Sequence, residues 1–344
     1  MNRLAPIFLR KIIFSLCFKA RSKNCPTKLL LGNGLTDEKC IKTLKSADSM
    51  KNELEIAIIG LDTSHAPAFT RMLNDPGDPC CLPGGRVVKA WPGGSPDFEL
   101  SWSRVDQFTE EVRQQGATIC NTIEEAVEGC DAVLLESADG RVHLEQFKKL
   151  VPFGKPVFID KPLACSLAEA EEIARLSAKH DIPAMSSSSL RFLQGLPETV
   201  AKHRDRITGV ELHGPLSFQK TQPGYFWYGM HAMEMLFAIL GPDFQSLEVH
   251  CSEQADQIET RWPGGITGRM ELIRGEAPFG GTLVCGSQRI SLPSSDTVTE
   301  PFYQSLLKEV LHFFRNPQSG IPLSETLKLT AFVEKANALR LKRI

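Results

Sequence analysis

Short apolar runs alternate with helix-like segments from residue 54 to about residue 185, and this alternation constrains the fold more than any other feature. Strand-like runs lie at Leu54–Gly60, Arg86–Trp91, Thr118–Cys120, Asp131–Glu136, Pro156–Asp160 and Ile182–Ser186. Several of these runs are apolar almost throughout, as strands are when both faces of a sheet are covered. Repeated strand–helix units of this length predict a parallel sheet with right-handed crossovers, that is, an α/β Rossmann-like domain.

Two of the intervening helices carry a start signal in the sequence. Glu125 stands three residues after Thr122, and Glu169 stands three residues after Ser166, which is the spacing of a capping box. The second of these helices is expected to run to about His180.

The pattern changes after about residue 205. Strands are predicted at Ile207–Phe218, Ser246–Cys251, Gln257–Trp262, Gly265–Arg274, Gly281–Cys285 and Gln288–Leu292, and helices at about Gly229–Leu240, Pro301–Arg315 and Ser324–Lys342. Glycine and proline turns between successive strands indicate an α+β domain with a largely antiparallel open sheet. We therefore expect a dinucleotide-binding type of domain over residues 50–190 and an α+β domain over residues 191–344.

The first 49 residues differ from the rest in charge. They hold ten Lys/Arg against three Asp/Glu, or +7, whereas the remainder holds 29 against 38, or −9, which together give the net −2. Arg10, Lys11 and Lys19 interrupt any apolar core of a signal peptide, and no small-residue cleavage site follows. Met50 stands only a few residues before the apolar run Ile56–Ile59, so residues 1–49 are interpreted as a non-essential or misannotated basic extension.

The composition, with 42% hydrophobic and 23% charged residues, is that of a soluble globular protein. No run reaches the roughly 18 apolar residues that a membrane-spanning helix needs. The ten cysteines form no Cys-x-x-Cys pair, and no histidine stands at zinc-finger spacing to them. We expect a cytoplasmic protein with reduced thiols and with neither nucleic acid nor membrane as a partner.

The turn after the first strand reads Gly60-Leu-Asp62-Thr63-Ser64-His65. A dinucleotide-binding domain carries Gly-x-Gly-x-x-Gly here, so that the backbone can approach a diphosphate. Asp62 and His65 replace the second and third glycines, and a carboxylate beside a diphosphate is unfavourable. Thr63 and Ser64 offer hydroxyls beside the positive end of a helix, which favours phosphate. Both a cofactor loop and a well-capped turn remain open as interpretations.

The end of the second strand does not distinguish NAD from NADP. An acidic residue at this point binds the ribose 2′-hydroxyl of NAD, but Asp97 follows the strand end only after several residues. Ser95 and Arg104 are the alternative candidates, since they would receive a 2′-phosphate.

The run Lys155-Pro-Val-Phe-Ile-Asp160-Lys161-Pro162 ends a central parallel strand, at the edge where open α/β sheets bind ligands. It resembles the Glu-Lys-Pro signature of the glucose–fructose oxidoreductase / inositol dehydrogenase / MocA-type (Gfo/Idh/MocA) oxidoreductases, with Asp160 in place of glutamate. The order of motifs over about residues 54–340 resembles that family as well. The resemblance implies an NAD or NADP cofactor and a catalytic Lys161 between nicotinamide and substrate hydroxyl. The Lys–Pro bond in that family is often cis.

The helix near residue 230 carries the second implied catalytic residue. The family's helix has an aspartate four residues before a histidine, and here His231 is kept whereas Trp227 stands at the aspartate position. An imidazole titrates near neutral pH, which suits a general acid/base. Glu234 shares its helical face and is a candidate to orient it. Tyr225, Trp227 and Tyr228 are interpreted as stacking surfaces for a sugar ring or, alternatively, as part of the interdomain core.

Polar residues after two other strands complete the candidate site. Glu136 and Ser137, after the fourth strand, are assigned to the cofactor together with Asp160 and Lys161. His143 and Arg191 are assigned to the substrate. The histidines at 65, 143 and 231 and Glu136 match no metal-binding spacing, so no metal is expected.

The sequence thus predicts an NAD(P)-dependent dehydrogenase that transfers a hydride to or from a sugar, cyclitol or related polyol. The incomplete glycine loop keeps two alternatives open. One is a lyase, hydratase or isomerase acting on keto sugars with a tightly held or absent cofactor, and the other is a non-catalytic sugar or nucleotide sensor. By analogy with the family we expect a homodimer or homotetramer assembled through the second domain.

Overall fold

The first sheet is built from six parallel strands. The structure, a computed structural model, describes residues 53–342, so the predictions made for residues 1–49 lie outside the described residues. The strands are β1 (Leu54–Ile59), β2 (Gly85–Trp91), β3 (Thr118–Ile119), β4 (Ala132–Leu135), β5 (Val157–Asp160) and β6 (Ala184–Ser187). Their order is β3-β2-β1-β4-β5-β6, which is that of a Rossmann fold. The prediction from the apolar runs is confirmed.

Ten α-helices connect and cover the two sheets in the described part of the chain. They are α1 (His65–Asn74), α2 (Glu99–Trp102), α3 (Val105–Gln114), α4 (Ile123–Val127), α5 (His143–Leu150), α6 (Leu167–His180), α7 (Leu196–His203), α8 (Met230–Leu240), α9 (Phe302–Arg315) and α10 (Leu323–Leu341).

The two predicted helix starts are confirmed in detail. Thr122 Oγ1 accepts a hydrogen bond of 3.1 Å from the N–H of Glu125, whose carboxylate accepts one of 3.0 Å from the N–H of Asn121. Ser166 Oγ accepts from the N–H of Glu169 at 3.3 Å. These bonds satisfy N–H groups that a helix start otherwise leaves without a partner.

The second sheet contains β7 (Gly209–Leu216), β8 (Ser246–Cys251), β9 (Ala255–Arg261), β10 (Thr267–Arg274), β11 (Gly280–Cys285) and β12 (Gln288–Ser291). Its order is β12-β11-β7-β10-β9-β8, and only β7 and β10 pair in parallel. Side chains along β10 alternate between exposed and buried, because one face of the sheet packs on α8 and α10 while the other is open. The largely antiparallel sheet is confirmed.

Helix α9 belongs by packing to the first sheet, although it follows the second sheet in the chain. Leu306, Val310 and Phe313 of α9 share a core with Ile56 of β1 and Phe69 of α1. The described residues fall within one compact unit. The division at about residue 190 therefore stays a prediction, and the chain returns to the first sheet near its end.

Between residues 53 and 342, no helix combines the length and the apolar character needed to cross a bilayer. The seven cysteines in the same range all carry free thiols.

Candidate functional site

A cavity of about 420 Å³ lies at the carboxyl ends of β1 and β5 and is closed on its other side by residues of the second sheet and α9. Strand β1 pairs with β2 on one side and with β4 on the other. The direction in which successive strands are added therefore reverses at β1, where the cavity lies. Open α/β sheets bind their ligands in this crevice. The lining includes Thr63, Ser64, His65, Arg104, Asp160, Lys161, Trp227, Tyr228, His231, Phe279, Phe302 and Tyr303.

The turn after β1 is held tightly to its neighbours. The N–H groups of Gly60 and Leu61 donate to the carbonyl oxygens of Trp91 and Pro92, at 2.9 and 2.7 Å. Gly60 has φ +91°, and a Cβ atom added there would lie 2.4 Å from the Oγ of Ser137 and 2.5 Å from its backbone nitrogen. Glycine at this position is therefore required by the close approach of the segment after β4, and not only by a ligand.

Asp62 ties three segments together beneath the cavity. Its Oδ2 accepts a hydrogen bond of 2.6 Å from Ser101 Oγ, and its Oδ1 accepts one of 3.0 Å from the N–H of Ala138. Ser101 Oγ in turn accepts from the N–H of Ser95 at 2.7 Å. Burial raises the pKa of Asp62. Both oxygens are thus engaged within the protein, and neither Asp62 nor Ser95 lines the cavity.

One end of the cavity suits an anion. Thr63 and Ser64 precede helix α1 and line the wall, and among the described residues their N–H groups have no hydrogen-bond partner. Free N–H groups at a helix start attract phosphate or carboxylate. Arg104, half-buried, adds a positive charge at the same wall.

Lys161 reaches the cavity from the end of β5. Its peptide bond to Pro162 is cis, as the family resemblance implies. Its ammonium group donates to the carbonyl oxygen of Trp227 at 3.4 Å and lies 5.3 Å from the centre of the Trp227 ring. That ring packs edge-on against Phe98 at 5.1 Å. Trp227 therefore supplies the contact to Lys161 where an aspartate was expected from the family pattern.

His231 lies in the first turn of α8 and faces the same cavity. Its Nδ1 shares a hydrogen bond of 2.7 Å with Ser188 Oγ, which also accepts from the N–H of Leu190 at 3.2 Å. The ring packs between Tyr228 at 5.3 Å and Phe279 at 5.7 Å. Burial, and then the charge of Lys161, lowers the pKa of His231 well below its ordinary value. At neutral pH the imidazole is uncharged.

Glu234 does not contact His231, since its partners lie elsewhere. Its carboxylate accepts from Arg191 Nε at 2.5 Å and from Ser187 Oγ at 3.2 Å. Arg191 also pairs with Glu325 of α10 at 2.7 Å. The contact that orients the imidazole comes from Ser188 instead, and Arg191 is held by two carboxylates away from the cavity.

His143 and Tyr225 are also placed outside the cavity lining. The two ring nitrogens of His143 lie 2.8 Å from the carbonyl oxygens of Pro162 and Ser137, so His143 joins the segments after β4 and β5. The Tyr225 hydroxyl donates to Asp256 of β9 at 2.8 Å. Of the predicted stacking residues, Trp227 and Tyr228 reach the cavity.

His65, Glu136 and Asp160 form a buried cluster at the ends of β1, β4 and β5. His65 Nδ1 lies 3.1 Å from Asp160 Oδ2 and 3.5 Å from Glu136 Oε2. Burial raises the pKa of Glu136 to about 7. Burial also opposes ionisation of Asp160, but the charge of His65 brings the pKa of Asp160 below its ordinary value. The sequence analysis treated these residues separately and did not predict that they meet.

The sequence analysis also missed cavity residues from the later part of the chain. Phe279 precedes β11, and Phe302 and Tyr303 begin α9. No local motif marks them, because they approach the crevice only through the packing of α9 on the first sheet.

The fold and the crevice define a dinucleotide-binding type of Rossmann domain joined to an α+β domain. The family model described as the Gfo/Idh/MocA oxidoreductase family, NAD-binding Rossmann fold, matches residues 54–187. This match confirms the resemblance seen in the Asp-Lys-Pro run. The nicotinamide class of cofactor predicted from the sequence is the class that the family description names.

Solved structures with the same fold extend over most of the chain. The myo-inositol dehydrogenase of Lactobacillus casei, in complex with NAD(H) and myo-inositol, is 15% identical with a TM-score of 0.65 and covers 85% of this chain and 95% of its own. A probable dehydrogenase of Thermotoga maritima is 16% identical with a TM-score of 0.63, over 84% and 98%. The biliverdin reductase of Synechocystis sp. PCC 6803, in complex with biliverdin and NADP+, is 12% identical with a TM-score of 0.61, over 83% and 98%. At these identities the likeness concerns the fold alone.

No curated protein matches the chain in sequence.

Proposed function

We propose that the protein is an NAD(P)-dependent oxidoreductase that moves a hydride to or from a hydroxyl- or carbonyl-bearing carbon of a sugar, cyclitol or related polyol. The observation that carries the proposal is that Lys161 and His231 line one cavity at the strand-order reversal. One residue comes from the first sheet and the other from the helix packed on the second sheet. Trp227 and Tyr228 line the same cavity, and aromatic rings pack well against the C–H face of a sugar ring.

The residues around the cavity fit a dinucleotide despite the missing glycines. The Asp62 carboxylate is satisfied by Ser101 and Ala138, so it does not face a diphosphate. The N–H groups of Thr63 and Ser64 and the guanidinium of Arg104 would hold the phosphates. A bound nicotinamide would supply the hydride chemistry, and the protein supplies position and charge.

The protein's own groups suit proton transfer at a substrate oxygen. Nδ1 of His231 is engaged by Ser188, which leaves Nε2 to exchange a proton with that oxygen. Because the pKa of His231 is lowered, the imidazole is neutral and ready to accept a proton from a hydroxyl. The positive charge of Lys161 stabilises a developing alkoxide and so offsets the weak basicity of that imidazole.

The test starts with the complete chain, stripped of endogenous small molecules. Calorimetric titration with NAD+, NADH, NADP+ and NADPH measures cofactor binding and preference, and a panel of sugars and polyols then tests for hydride transfer. Lys161→Met and His231→Gln are expected to lower kcat by about 100-fold or more. Lys155→Met, at the opposite end of β5, is the matched control and is expected to keep full activity. Folded protein that binds none of the four dinucleotides would refute the redox proposal.

A second candidate function is a lyase, hydratase or isomerase acting on keto sugars. It is favoured by the pair Lys161 and His231, which handles protons without a cofactor, and by Trp227 in place of an acidic residue. Deuterium uptake from heavy water into a keto sugar, with no change in NADH, would select this candidate. A ligand that binds without any turnover would instead favour the sensor.

A further inference from the structure

His65, Glu136 and Asp160 lie close together, although they lie at the ends of three different strands. His65 opens helix α1 after β1, Glu136 follows β4, and Asp160 ends β5. All three are buried, and one ligand atom from each lies within 4.8 Å of the others. We propose that these three side chains bind one divalent transition-metal cation in the wall of the cavity.

The two distances from His65 to the carboxylates match those between neighbouring ligands of one metal ion. Nitrogen and oxygen ligands bind such ions at about 2.0–2.2 Å, so neighbouring ligand atoms are separated by roughly 3.0 Å in octahedral and roughly 3.4 Å in tetrahedral geometry. The observed separations from His65 Nδ1 are 3.1 Å to Asp160 Oδ2 and 3.5 Å to Glu136 Oε2. The three ligand atoms all lie within 4.8 Å of one another, which is within reach of a single cation.

Glu136 gives independent support, because it is buried and its carboxylate has no hydrogen-bond partner among the described residues. Its side chain is 0% exposed, and among the described residues neither of its carboxylate oxygens has a hydrogen-bond partner. The same holds for Nδ1 of His65, since neither contact with a carboxylate has hydrogen-bond geometry. Buried charges are ordinarily paired or coordinated to a metal, and a cation would satisfy all of these atoms together.

The surroundings fix the direction of the ligands. The other carboxylate oxygen of Asp160 accepts a hydrogen bond of 2.8 Å from the N–H of Lys161. The His65 ring packs between Phe69, with ring centres 5.5 Å apart, and Tyr303, at 4.4 Å. Outer contacts of this kind are what hold metal ligands in position.

The three donor atoms determine which class of cation fits the site. Their position in the wall determines on which side the cation has free coordination positions. One imidazole and two carboxylates suit Mn²⁺, Fe²⁺, Co²⁺ or Zn²⁺ better than Mg²⁺ or Ca²⁺, which prefer oxygen ligands throughout. His65 and Asp160 line the cavity, so the remaining coordination positions point toward it. A hydroxyl, carbonyl or carboxylate oxygen of a ligand would complete the coordination there. This inference goes beyond the proposed function and does not depend on dinucleotide binding.

The competing account is a protonated His65 paired directly with the two carboxylates, without a metal. Mn²⁺ separates the two accounts, because thiolates bind it poorly and the cysteines therefore do not interfere. The experiment uses the complete chain after treatment with a chelator and in the absence of dinucleotide. Electron paramagnetic resonance measures free Mn²⁺ during titration, and thermal melting with Mn²⁺, Co²⁺ or Zn²⁺ measures stabilisation.

We expect one saturable Mn²⁺ per chain, with affinity lowered by about 100-fold or more in Glu136→Gln and in His65→Gln. Glu136→Gln keeps the shape of the side chain, so in chelator it should melt no lower than the native protein. Asp62→Asn is the control, because it changes a buried carboxylate three residues from His65 that faces Ser101 and Ala138. It should bind Mn²⁺ like the native protein. Absence of saturable binding, or binding that both ligand variants keep, would overturn the proposal.

Discussion

Replacing Gly60 by alanine tests whether the turn after β1 is shaped by its contact with the segment after β4. Gly60 has φ +91°, and its missing Cβ would lie 2.4, 2.5 and 2.6 Å from Oγ, N and Cα of Ser137. Two of these three atoms belong to the backbone, so a rotamer change of Ser137 does not relieve the overlap. The alanine therefore forces β1 and β4 apart at the edge that carries the cavity.

The expected loss has two parts that can be estimated separately. An L-residue in the left-handed region costs about 1–2 kcal/mol. Overpacking of a filled site costs about 1–3 kcal/mol more, which gives about 2–5 kcal/mol in total. Because the entropy of unfolding grows with chain length, the melting temperature of a protein of this size falls by about 1.5 °C per kcal/mol.

Gly129→Ala is the matched control, because Gly129 has φ +82° and nothing lies within 4 Å of its added Cβ. It should lose only the conformational part, about 1–2 kcal/mol. Urea denaturation of the native protein and both variants measures the difference in free energy of unfolding. If Gly60→Ala loses no more than Gly129→Ala, the close approach of Ser137 is not the constraint and the reasoning is wrong. Dinucleotide affinity, measured in the folded fraction, should fall only for Gly60→Ala.

Two further changes test the neighbours of the site. Ser188→Ala removes the hydrogen-bond partner of His231 Nδ1. Because the imidazole then loses the contact that orients it, kcat should fall by about 5- to 150-fold, which corresponds to about 1–3 kcal/mol, and its pH profile should shift. Ser187→Ala removes a hydroxyl that bonds Glu234 and not the imidazole, so it should leave the profile unchanged. Although burial opposes ionisation of Asp139, hydrogen bonds from Arg141 and other donors lower its pKa from 3.8 to about 2. Since the folded pKa is the lower one, this stabilisation is complete above about pH 4 and is lost as the pH falls through 2. Asp139→Asn should therefore lose about 2 kcal/mol at pH 7 by urea denaturation and show a flatter stability profile between pH 4 and 2, whereas an unchanged profile would contradict the assigned pKa.

Local patterns in the sequence predicted much of the fold because they depend on few residues. The capping boxes at Thr122 and Ser166 form as predicted, since each needs only a hydroxyl and a glutamate three residues later. Lys161 was predicted to lie at the ligand-binding edge because it ends a parallel strand, and it does line the cavity. The chemical roles of Lys161 and His231 stay predictions.

Contacts between residues far apart in the sequence could not be predicted from local patterns. Tyr303 reaches the cavity only because α9 returns to the first sheet, and no periodicity within α9 indicates which sheet it covers. Glu234 was expected near His231 from helical spacing, but Arg191, brought in from the segment after β6, supplies a stronger charged partner. Spacing along the chain likewise gave no metal signature, because His65 and Glu136 meet through the pairing of β1 with β4.

The turn Gly60–His65 explains how an incomplete glycine pattern and a usable cavity coexist. Asp62 replaces a glycine but turns its carboxylate into the protein. Thr63 and Ser64 line the cavity, and among the described residues their N–H groups have no hydrogen-bond partner. His65 replaces the last glycine and directs its ring at two carboxylates under the same helix start. An anion at Thr63 and Ser64 and a cation at His65 would then attract each other across one turn of chain. By linkage each would bind more tightly in the presence of the other, so titrating NADH with and without Mn²⁺ tests both proposals in a single measurement of their coupling.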